Sequence, residues 1–216
     1  MARLGRCWVA VLVAAVMLGG CSTSVAGRAV RGPGKPSAPI SARDLLLQDG
    51  ERTPTGPATA IPLGGNYFTS ARPRECSAAL LFEGSPLPPV DTSDHAETAY
   101  RVGDQALYAE SVDVYNHALN THDVVWNGFR EVSQCRGDAV GVSPTGSFKP
   151  MSLSGFAIPE DGVLTWTMSR ADWTCDYGLA VVPRVALLIS ACDGKPGFPI
   201  ADWAAKRKAQ IDGRIA

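Results

Sequence analysis

The clearest structural signal in the chain is the stretch CDYGLAVVPRVALLISAC, residues 175–192. It contains two apolar runs, 179–182 and 185–191, which are separated by Pro183 and Arg184. Two apolar runs joined by so short a break predict a β-hairpin. The second run is apolar almost throughout, which is typical of a strand covered on both faces, so we expect it in the centre of a sheet.

The two cysteines of this stretch are placed to pair with each other. Cys175 lies seven residues before Val182, and Cys192 lies seven residues after Val185. A symmetric turn beginning at Pro183 places the two thiols opposite each other at a non-hydrogen-bonded pair, where the Cα atoms are close enough for a disulfide. Proline cannot adopt the positive φ of a type I′ turn, so the loop is either a type I turn or four residues long. Both loops keep this register.

The first residues of the chain have the pattern of an export signal. Arg3 and Arg6 precede an apolar run at 7–18, which is too short to cross about 30 Å of hydrocarbon but fits the core of a secretory signal. The tetrad Leu-Gly-Gly-Cys at 18–21 resembles the lipobox of bacterial lipoproteins, in which the cysteine is diacylated. Cys21 is therefore the predicted lipid attachment site. The alternative is an ordinary or uncleaved signal with an unpaired thiol.

This interpretation divides the chain into a signal peptide at 1–20, a lipid-anchored disordered linker at 21–40 and one folded domain at 41–216. The linker is rich in Ser, Thr, Ala, Gly and Pro and cannot bury a core. Loss of the signal leaves 18 basic against 21 acidic residues, a mildly acidic composition that disfavours nucleic acid as a partner. We expect an extracytoplasmic protein held at the cell membrane by its N-terminal diacylglycerol and palmitate chains, because two or more acyl chains anchor stably.

Export places the other cysteines in an oxidising compartment, where an even number predicts disulfides. With Cys175 and Cys192 paired, Cys76 remains for Cys135. Cys135 continues the apolar stripe of a helix predicted at 123–135, and Cys76 lies on the apolar side of a second short helix, so both sulfurs point inward. A metal site is the competing interpretation of four cysteines, but no Cys-x-x-Cys spacing occurs.

Outside the hairpin, hydrophobic periodicity predicts a sheet with helices beside it. Predicted strands are 105–115, 139–143, 153–158 and 163–168, separated by turns rich in Gly and Pro. Short returns between five or six strands indicate a mainly antiparallel sheet, so the predicted fold class is α+β. Residues 105–115 alternate between apolar and polar, which predicts one buried face, and 53–65 is predicted to be a connection.

Two helices are predicted at the ends of the domain. Ser41 and Asp44 form a capping-box pattern that opens a short helix at 42–48, closed by Gly50. The C-terminal helix is amphipathic and covers one face of the sheet. Its apolar stripe consists of Ile200, Trp203 and Ile211, interleaved with the cations Lys206, Arg207 and Lys208.

Six short segments carry a resemblance to a known domain family. They are RDLLL (43–47), ECSAAL (75–80), FREVSQC (129–135), WTC (173–175), ISAC (189–192) and IADW (200–203). Their order and the placement of the cysteines resemble the PknH-like extracellular sensor domain, which occurs in mycobacteria and their relatives as the outer part of a receptor kinase and as free lipoproteins. The resemblance covers about 41–216.

That resemblance implies a strongly twisted antiparallel sheet flanked by helices, two disulfides and a large cleft that receives an unidentified ligand. This chain departs from the family pattern at Pro183 and Arg184, where small polar residues are expected. It also lacks a kinase half, so any signalling would have to pass through a protein partner.

Candidate catalytic and metal-binding residues are few. The segment 141–145, Gly-Val-Ser-Pro-Thr, begins like the nucleophile elbow of a hydrolase around Ser143 but lacks its last glycine. His117 and His122 are five residues apart, which misaligns them on a helix as metal ligands. Asp91, Asp94, His95 and Glu97 form a predicted acidic loop without the glycine that punctuates a calcium loop. We therefore predict no metal site, no cofactor and no catalytic residue.

The leading hypothesis is a non-catalytic, membrane-anchored domain that binds a small molecule or envelope component in a cleft whose residues the sequence does not identify. Most of the tryptophans, Trp126, Trp166, Trp173 and Trp203, are spaced for core burial, and one or two lining a groove would suit an apolar or glycan-like ligand. An envelope hydrolase using Ser143 and a scaffold that recruits an envelope protein are the alternatives.

Overall fold

The computed structural model describes residues 39–62, 67–103 and 105–216. The predicted signal peptide, the lipid attachment site Cys21 and nearly all of the predicted linker lie outside these residues. Within the described residues, no helix combines the length and the apolar character needed to span a bilayer.

The described residues form an α+β domain in which an antiparallel sheet lies between helices. The strands are β1 (Arg52–Thr53), β2 (Gly56–Ile61), β3 (Ser70–Arg72), β4 (Asp94–Val102), β5 (Ala106–Val114), β6 (Val140–Ser143), β7 (Gly146–Ser147), β8 (Ser152–Glu160), β9 (Val163–Arg170), β10 (Trp173–Val182) and β11 (Val185–Asp193). Eight of them form the main sheet in the order β1-β2-β4-β5-β11-β10-β9-β8, and β3, β6 and β7 form a second sheet. The helices are α1 (Ala42–Leu45), α2 (Ser77–Leu80), α3 (Thr121–Val132) and α4 (Ile200–Ile215), with a 3₁₀ turn at Arg74–Cys76.

The hairpin predicted from residues 175–192 is confirmed. β10 and β11 pair with Val182 opposite Val185 and with Cys175 opposite Cys192. The two cysteines are joined in a disulfide. β11 lies between β5 and β10 in the middle of the main sheet, and its residues 185–191 are buried.

The main sheet has eight strands among the described residues rather than the predicted five or six. Part of the predicted connection at 53–65 forms β2, and part of the predicted acidic loop, including His95 and Glu97, lies in β4. Neither segment has a clean period of two, because β2 contains a glycine and a proline and β4 begins with exposed polar residues. Main-chain pairing with neighbouring strands makes them part of the sheet.

Strand β5 is buried more completely than its alternating pattern predicts. Ser111 and Asp113 are buried, as are Tyr108 and Val112 on the other side of the strand. β5 has β4 on one edge and β11 on the other. Both faces of the sheet are covered at this central position, so the polar side of β5 does not face solvent as its alternating pattern predicted.

Helices cover both faces of the main sheet. On one face, α2 and α3 pack over Trp166, Leu179 and Leu188. The predicted disulfide between Cys76 and Cys135 joins these helical segments, with Cα atoms 4.5 Å apart. We call this side the disulfide face. On the other side, which we call the α4 face, α1 and α4 cover a separate core.

The predicted N-terminal helix is shorter and is capped differently. α1 ends at Leu45 rather than at 48, and the Ser41 side chain makes no capping hydrogen bond. Instead, the backbone N–H of Ala42 donates to the Asp94 carboxylate of β4 at 2.8 Å. A residue 52 positions away therefore replaces the local cap.

Arg207, one of the three cations that interleave with the predicted apolar stripe of α4, is itself buried. It is 1% exposed, and its Nε donates to Glu110 of β5 at 2.7 Å. Arg207 lies four residues after Trp203 and four before Ile211, so it shares their buried stripe.

Candidate ligand-binding cleft

A cleft of about 270 Å³ opens on the disulfide face, where β10 begins and β11 ends. Its floor is the sheet itself. Tyr177 lies opposite Ser190, and Cys175 lies opposite Cys192, which in turn is paired with Leu107 of β5. The hairpin register therefore assembles the floor.

The roof of the cleft comes from segments that are distant in sequence. Tyr67 and Phe68 precede β3, Phe82 follows α2, and Phe148 follows β7. The rings of Tyr67 and Phe82 have centroids 5.1 Å apart, and those of Phe68 and Phe148 are 5.0 Å apart. With Trp173 and Tyr177, six of the twelve lining residues are aromatic. Such a lining suits an apolar or ring-containing ligand.

One polar atom inside this aromatic lining is unpaired. Tyr67 is 7% exposed, and its hydroxyl has no hydrogen-bond partner among the described residues. Burial, together with the charge of Glu97, raises the pKa of Tyr67 well above its ordinary value, so the hydroxyl remains a donor. A buried donor without a partner costs about 1–3 kcal/mol. A ligand atom that accepted this hydrogen bond would remove the cost.

Two further buried hydroxyls line the cleft, those of Tyr177 and Ser190. Tyr177 donates to the Leu80 carbonyl at 3.3 Å. Burial raises the pKa of Tyr177, and a hydrogen bond with Ser190 opposes that rise. A negative charge on Tyr67 would raise the pKa of Tyr177 further. Tyr67, Tyr177 and Ser190 are thus the three hydroxyl groups among the residues that line the cleft.

Positive charge lies beside the cleft. Arg170, at the end of β9, lines it with a side chain that is 20% exposed. Its Nε donates to Asp172 at 2.6 Å, and Lys149 donates to the same carboxylate at 3.2 Å. Both cations lower the pKa of Asp172 through their hydrogen bonds. Two cations share one carboxylate, so this group carries a net charge of +1.

A titratable cluster lies on the same face, across Phe82 from the cleft. Phe82 lines both the cleft and a hollow of about 160 Å³ that contains His95, Glu97 and Asp113. His95 Nδ1 lies 2.8 Å from Asp113, and Nε2 lies 3.3 Å from Glu97. Burial raises the pKa of both carboxyl groups. For His95, burial lowers the pKa, but the two carboxylates together outweigh it and the net pKa is raised.

A second cavity of about 210 Å³ lies at the same end of the sheet and shares Leu107 and Cys192 with the cleft. Its lining includes Asp176, which accepts a hydrogen bond from Thr167 at 2.6 Å. Burial raises the pKa of Asp176, although hydrogen bonds from Thr167 and the Phe198 amide oppose that rise. Because this carboxylate is already bonded within the protein, the cavity offers less to a ligand than the cleft does.

Among the sequence-level candidates for chemistry, His95 and Glu97 of the predicted acidic loop lie together, whereas Ser143, His117 and His122 lie in separate surroundings. Ser143 Oγ lies 2.8 Å from the Thr145 hydroxyl in the second sheet. His117 packs against Tyr115, and His122 packs against Trp126. Across the residues that the structure describes, no group of three or more His, Cys, Asp or Glu is arranged to hold a metal ion.

The tryptophans occupy three kinds of position. Trp166 and Trp203 are buried in the two cores, as their spacing predicts. Trp173 is half-buried and lines the cleft. Trp126 is 46% exposed on α3.

Sequence reasoning did not identify the polar residues of the cleft. Ser190 could have been found as the one hydroxyl in the apolar run of β11, directly opposite Tyr177. Arg170 has the same strand parity as Trp166 and Met168, which point into the disulfide face. Tyr67 carried no comparable signal, because it lies outside any periodic element.

Comparison with known proteins places the chain in a family. Over 211 residues it is 60% identical to LprH of Mycobacterium tuberculosis, a protein named as a lipoprotein, with 95% of this chain and 92% of that protein covered. The chain belongs to the LprH family. LprH of Mycobacterium bovis matches this LprH-family chain with the same identity and coverage. No model of a protein family matches the chain.

The fold of this LprH-family chain is that of a solved extracellular domain. The crystal structure of the extracellular domain of PknH from Mycobacterium tuberculosis superposes with a TM-score of 0.63. The match covers 81% of this chain and 98% of that domain at 14% sequence identity. The PknH-like fold predicted from the six segments is thus confirmed.

Proposed function

We propose that this LprH-family chain is an exported lipoprotein whose folded domain binds a small, mostly apolar molecule in the aromatic cleft. The cleft carries the proposal: it combines six aromatic rings with a buried hydroxyl that lacks a partner among the described residues. A largely preformed apolar pocket with a few convergent polar groups is the usual form of a small-molecule site.

Anchoring through Cys21 is part of this proposal. It is supported by the lipobox-like tetrad at 18–21 and by the lipoprotein name of the relatives with 60% identity. Radiolabelled palmitate should enter the full-length protein in a mycobacterial host and should not enter a Cys21→Ala variant. Equal labelling of both proteins, or of neither, would contradict the anchor.

Ligand binding is tested with the full-length lipoprotein purified in detergent. Native mass spectrometry after incubation with an envelope extract should show a retained mass. Leu107→Trp, which places a bulky ring at the cleft, should lose that mass. Leu153→Trp on β8, which does not line the cleft, should keep it. A clean protein mass for the wild type under all conditions would count against the proposal.

We further propose that the domain is not an enzyme. Ser143, the residue of the hydrolase alternative, bonds to Thr145 and lies in the second sheet. The alternative is tested by assaying turnover of ester and glycan substrates by the wild type and by a Ser143→Ala variant. Turnover that disappears in the variant would establish hydrolase chemistry.

A scaffold role remains the second candidate because aromatic rings are exposed on the disulfide face. Trp126 is 46% and Phe156 is 40% exposed, and Phe129 connects them with centroid distances of 5.5 and 4.8 Å. Cross-linking in cells should recover one stoichiometric protein if this surface recruits a partner. Recovery should fall in a Trp126→Ser/Phe156→Ser variant.

A further inference from the structure

We infer that the cleft selects aromatic carboxylic acids of one or two rings, with the carboxylate on Arg170 and an acceptor atom on the ring system facing the Tyr67 hydroxyl. This inference rests on the proposed function and narrows it to a chemical class. Its basis is the position of one cation and one unpaired donor within an aromatic lining.

The size of the cleft limits the ligand. Its volume of about 270 Å³ lies just below the range of about 300–1,000 Å³ that is usual for drug-sized ligands. A one- or two-ring molecule fits that volume, whereas a long acyl chain or an oligosaccharide does not. Tilted ring contacts such as that of Tyr67 with Phe82 show that the lining residues already pack as aromatic pairs, an arrangement that a flat ligand can extend.

Charge favours an anion over a neutral or cationic ligand. Arg170 lines the cleft and is only 20% exposed. Asp172 pairs with both Arg170 and Lys149, so its single negative charge does not neutralise both cations. Guanidinium groups bind carboxylates through charge-assisted hydrogen bonds, which are about twice as strong as neutral ones. The carboxylate of the ligand therefore belongs beside Arg170.

The Tyr67 hydroxyl supplies the second point of recognition. It is buried and has no acceptor within the described part of the chain. A ligand oxygen or ring nitrogen that accepts from it removes a cost already present in the unbound protein. Removing the hydroxyl should weaken binding without loss of stability, a combination that a purely structural tyrosine does not show.

The test uses isothermal titration calorimetry on the full-length lipoprotein with three probes. 6-Hydroxy-2-naphthoic acid carries both recognition groups, 2-naphthoic acid lacks the acceptor, and 2-naphthamide lacks the negative charge. We expect the wild type to prefer the acids over the amide by about tenfold or more, as one charge-assisted hydrogen bond implies.

Four variants separate binding from folding. Arg170→Gln should abolish the preference for acid over amide, and Arg170→Lys should restore part of it. Asp172→Asn removes the competing carboxylate and should tighten acid binding severalfold, a gain that misfolding cannot produce. Tyr67→Phe should erase the advantage of the hydroxylated probe while leaving the urea-unfolding midpoint unchanged or higher.

Arg130→Gln is the matched control, because Arg130 is a surface arginine of α3 bonded to Asn127. It should bind all three probes as the wild type does. Equal affinity of wild type for acid and amide would overturn the inference while leaving the proposed function in place. If no probe bound, the inference would also fall, and the envelope-extract experiment would then decide the proposed function separately.

Discussion

At the scale of a single residue, Gly141 shows how the roof of the cleft depends on a missing side chain. A Cβ at this position would lie 2.4 Å from the ring of Phe68, which packs on the backbone of β6. The glycine that resembled the start of a nucleophile elbow thus has a packing role. It allows Phe68 to lie between the second sheet and the cleft.

We expect Gly141→Ala to lower the free energy of unfolding by about 1–3 kcal/mol, because overpacking forces the Phe68 ring to move. Urea denaturation measures this change. Gly155→Ala on β8 is the control, because nothing lies within 4 Å of its added Cβ. Equal stability of the Gly141 variant and the wild type would show that Phe68 yields without cost.

His95 gives a residue-scale prediction about pH. Because its net pKa in the folded protein is raised, protonated His95 stabilises the fold below its unfolded pKa of about 6.5. This contribution disappears as the pH rises through the higher folded pKa. Burial also raises the pKa of Asp113 and of Glu97 in the folded protein. Their ionisation as the pH rises therefore lowers the free energy of unfolding too.

The expected result is that His95→Asn destabilises the protein more at pH 6 than at pH 8.5. His95 is 46% exposed, so solvent screening should keep the difference below about 1 kcal/mol. Urea unfolding at the two pH values measures it, with His122→Asn on α3 as the control. A larger loss at pH 8.5 would contradict the assigned direction.

At the scale of elements, one polar network joins α1, β5 and α4 across the α4 face. Arg207 donates to both oxygens of Glu110 and to the Leu45 carbonyl at 2.8 Å. Glu110 also accepts from the Leu47 amide and from the Tyr108 hydroxyl. The network compensates for the burial of both charges, since each group is at most 1% exposed.

Removing one partner should therefore be costly. Arg207→Met leaves Glu110 buried without its cation, and we expect a loss of about 3–5 kcal/mol in the free energy of unfolding. Lys208→Met is a matched control one residue away. Its ion pair with Glu160 lies at the surface, so that loss should be at most about 1 kcal/mol. Similar losses for both variants would show that the buried pair is not what holds α4 in place.

At the scale of the whole molecule, the two disulfides have different roles. Cys76–Cys135 spans 59 residues and joins two helical segments of the disulfide face. Cys175–Cys192 spans 17 residues within one hairpin and lies in the floor of the cleft. The first restricts the chain globally, whereas the second restricts it locally and contributes to the proposed binding site.

Replacing each pair by alanines should separate these roles. The chain-entropy model predicts a loss of about 4 kcal/mol for Cys76–Cys135 and about 3 kcal/mol for Cys175–Cys192. Only the second replacement should also weaken binding of the naphthoate probes under conditions where both variants are folded. Urea unfolding and calorimetry measure the two effects. A binding loss confined to the Cys76–Cys135 variant would contradict this assignment.

Some features of the fold could be predicted from the local sequence pattern alone. The hairpin register, and with it the pairing of Cys175 with Cys192, required only a symmetric count from the turn. Cys76 and Cys135 were then the two cysteines left to pair, and helical periodicity indicated that both sulfurs point inward. Strand β4 and the cap of α1 did not follow, because β4 is a strand by virtue of its neighbours and Asp94 reaches α1 across 52 positions.

The amino-acid sequence by itself determined the antiparallel α+β class, the central hairpin and the Cys175–Cys192 disulfide, because periodicity and spacing act within a few tens of residues. The Cys76–Cys135 disulfide followed from it by elimination, since these were the two cysteines left to pair. Only the tertiary structure determined which residues line the cleft. Its roof residues Tyr67, Phe82 and Phe148 come from three separate segments, and Arg170 reaches it from a fourth. Whether a side chain is buried, unpaired or facing a ligand depends on which distant segment covers it, and local pattern carries no information about that partner.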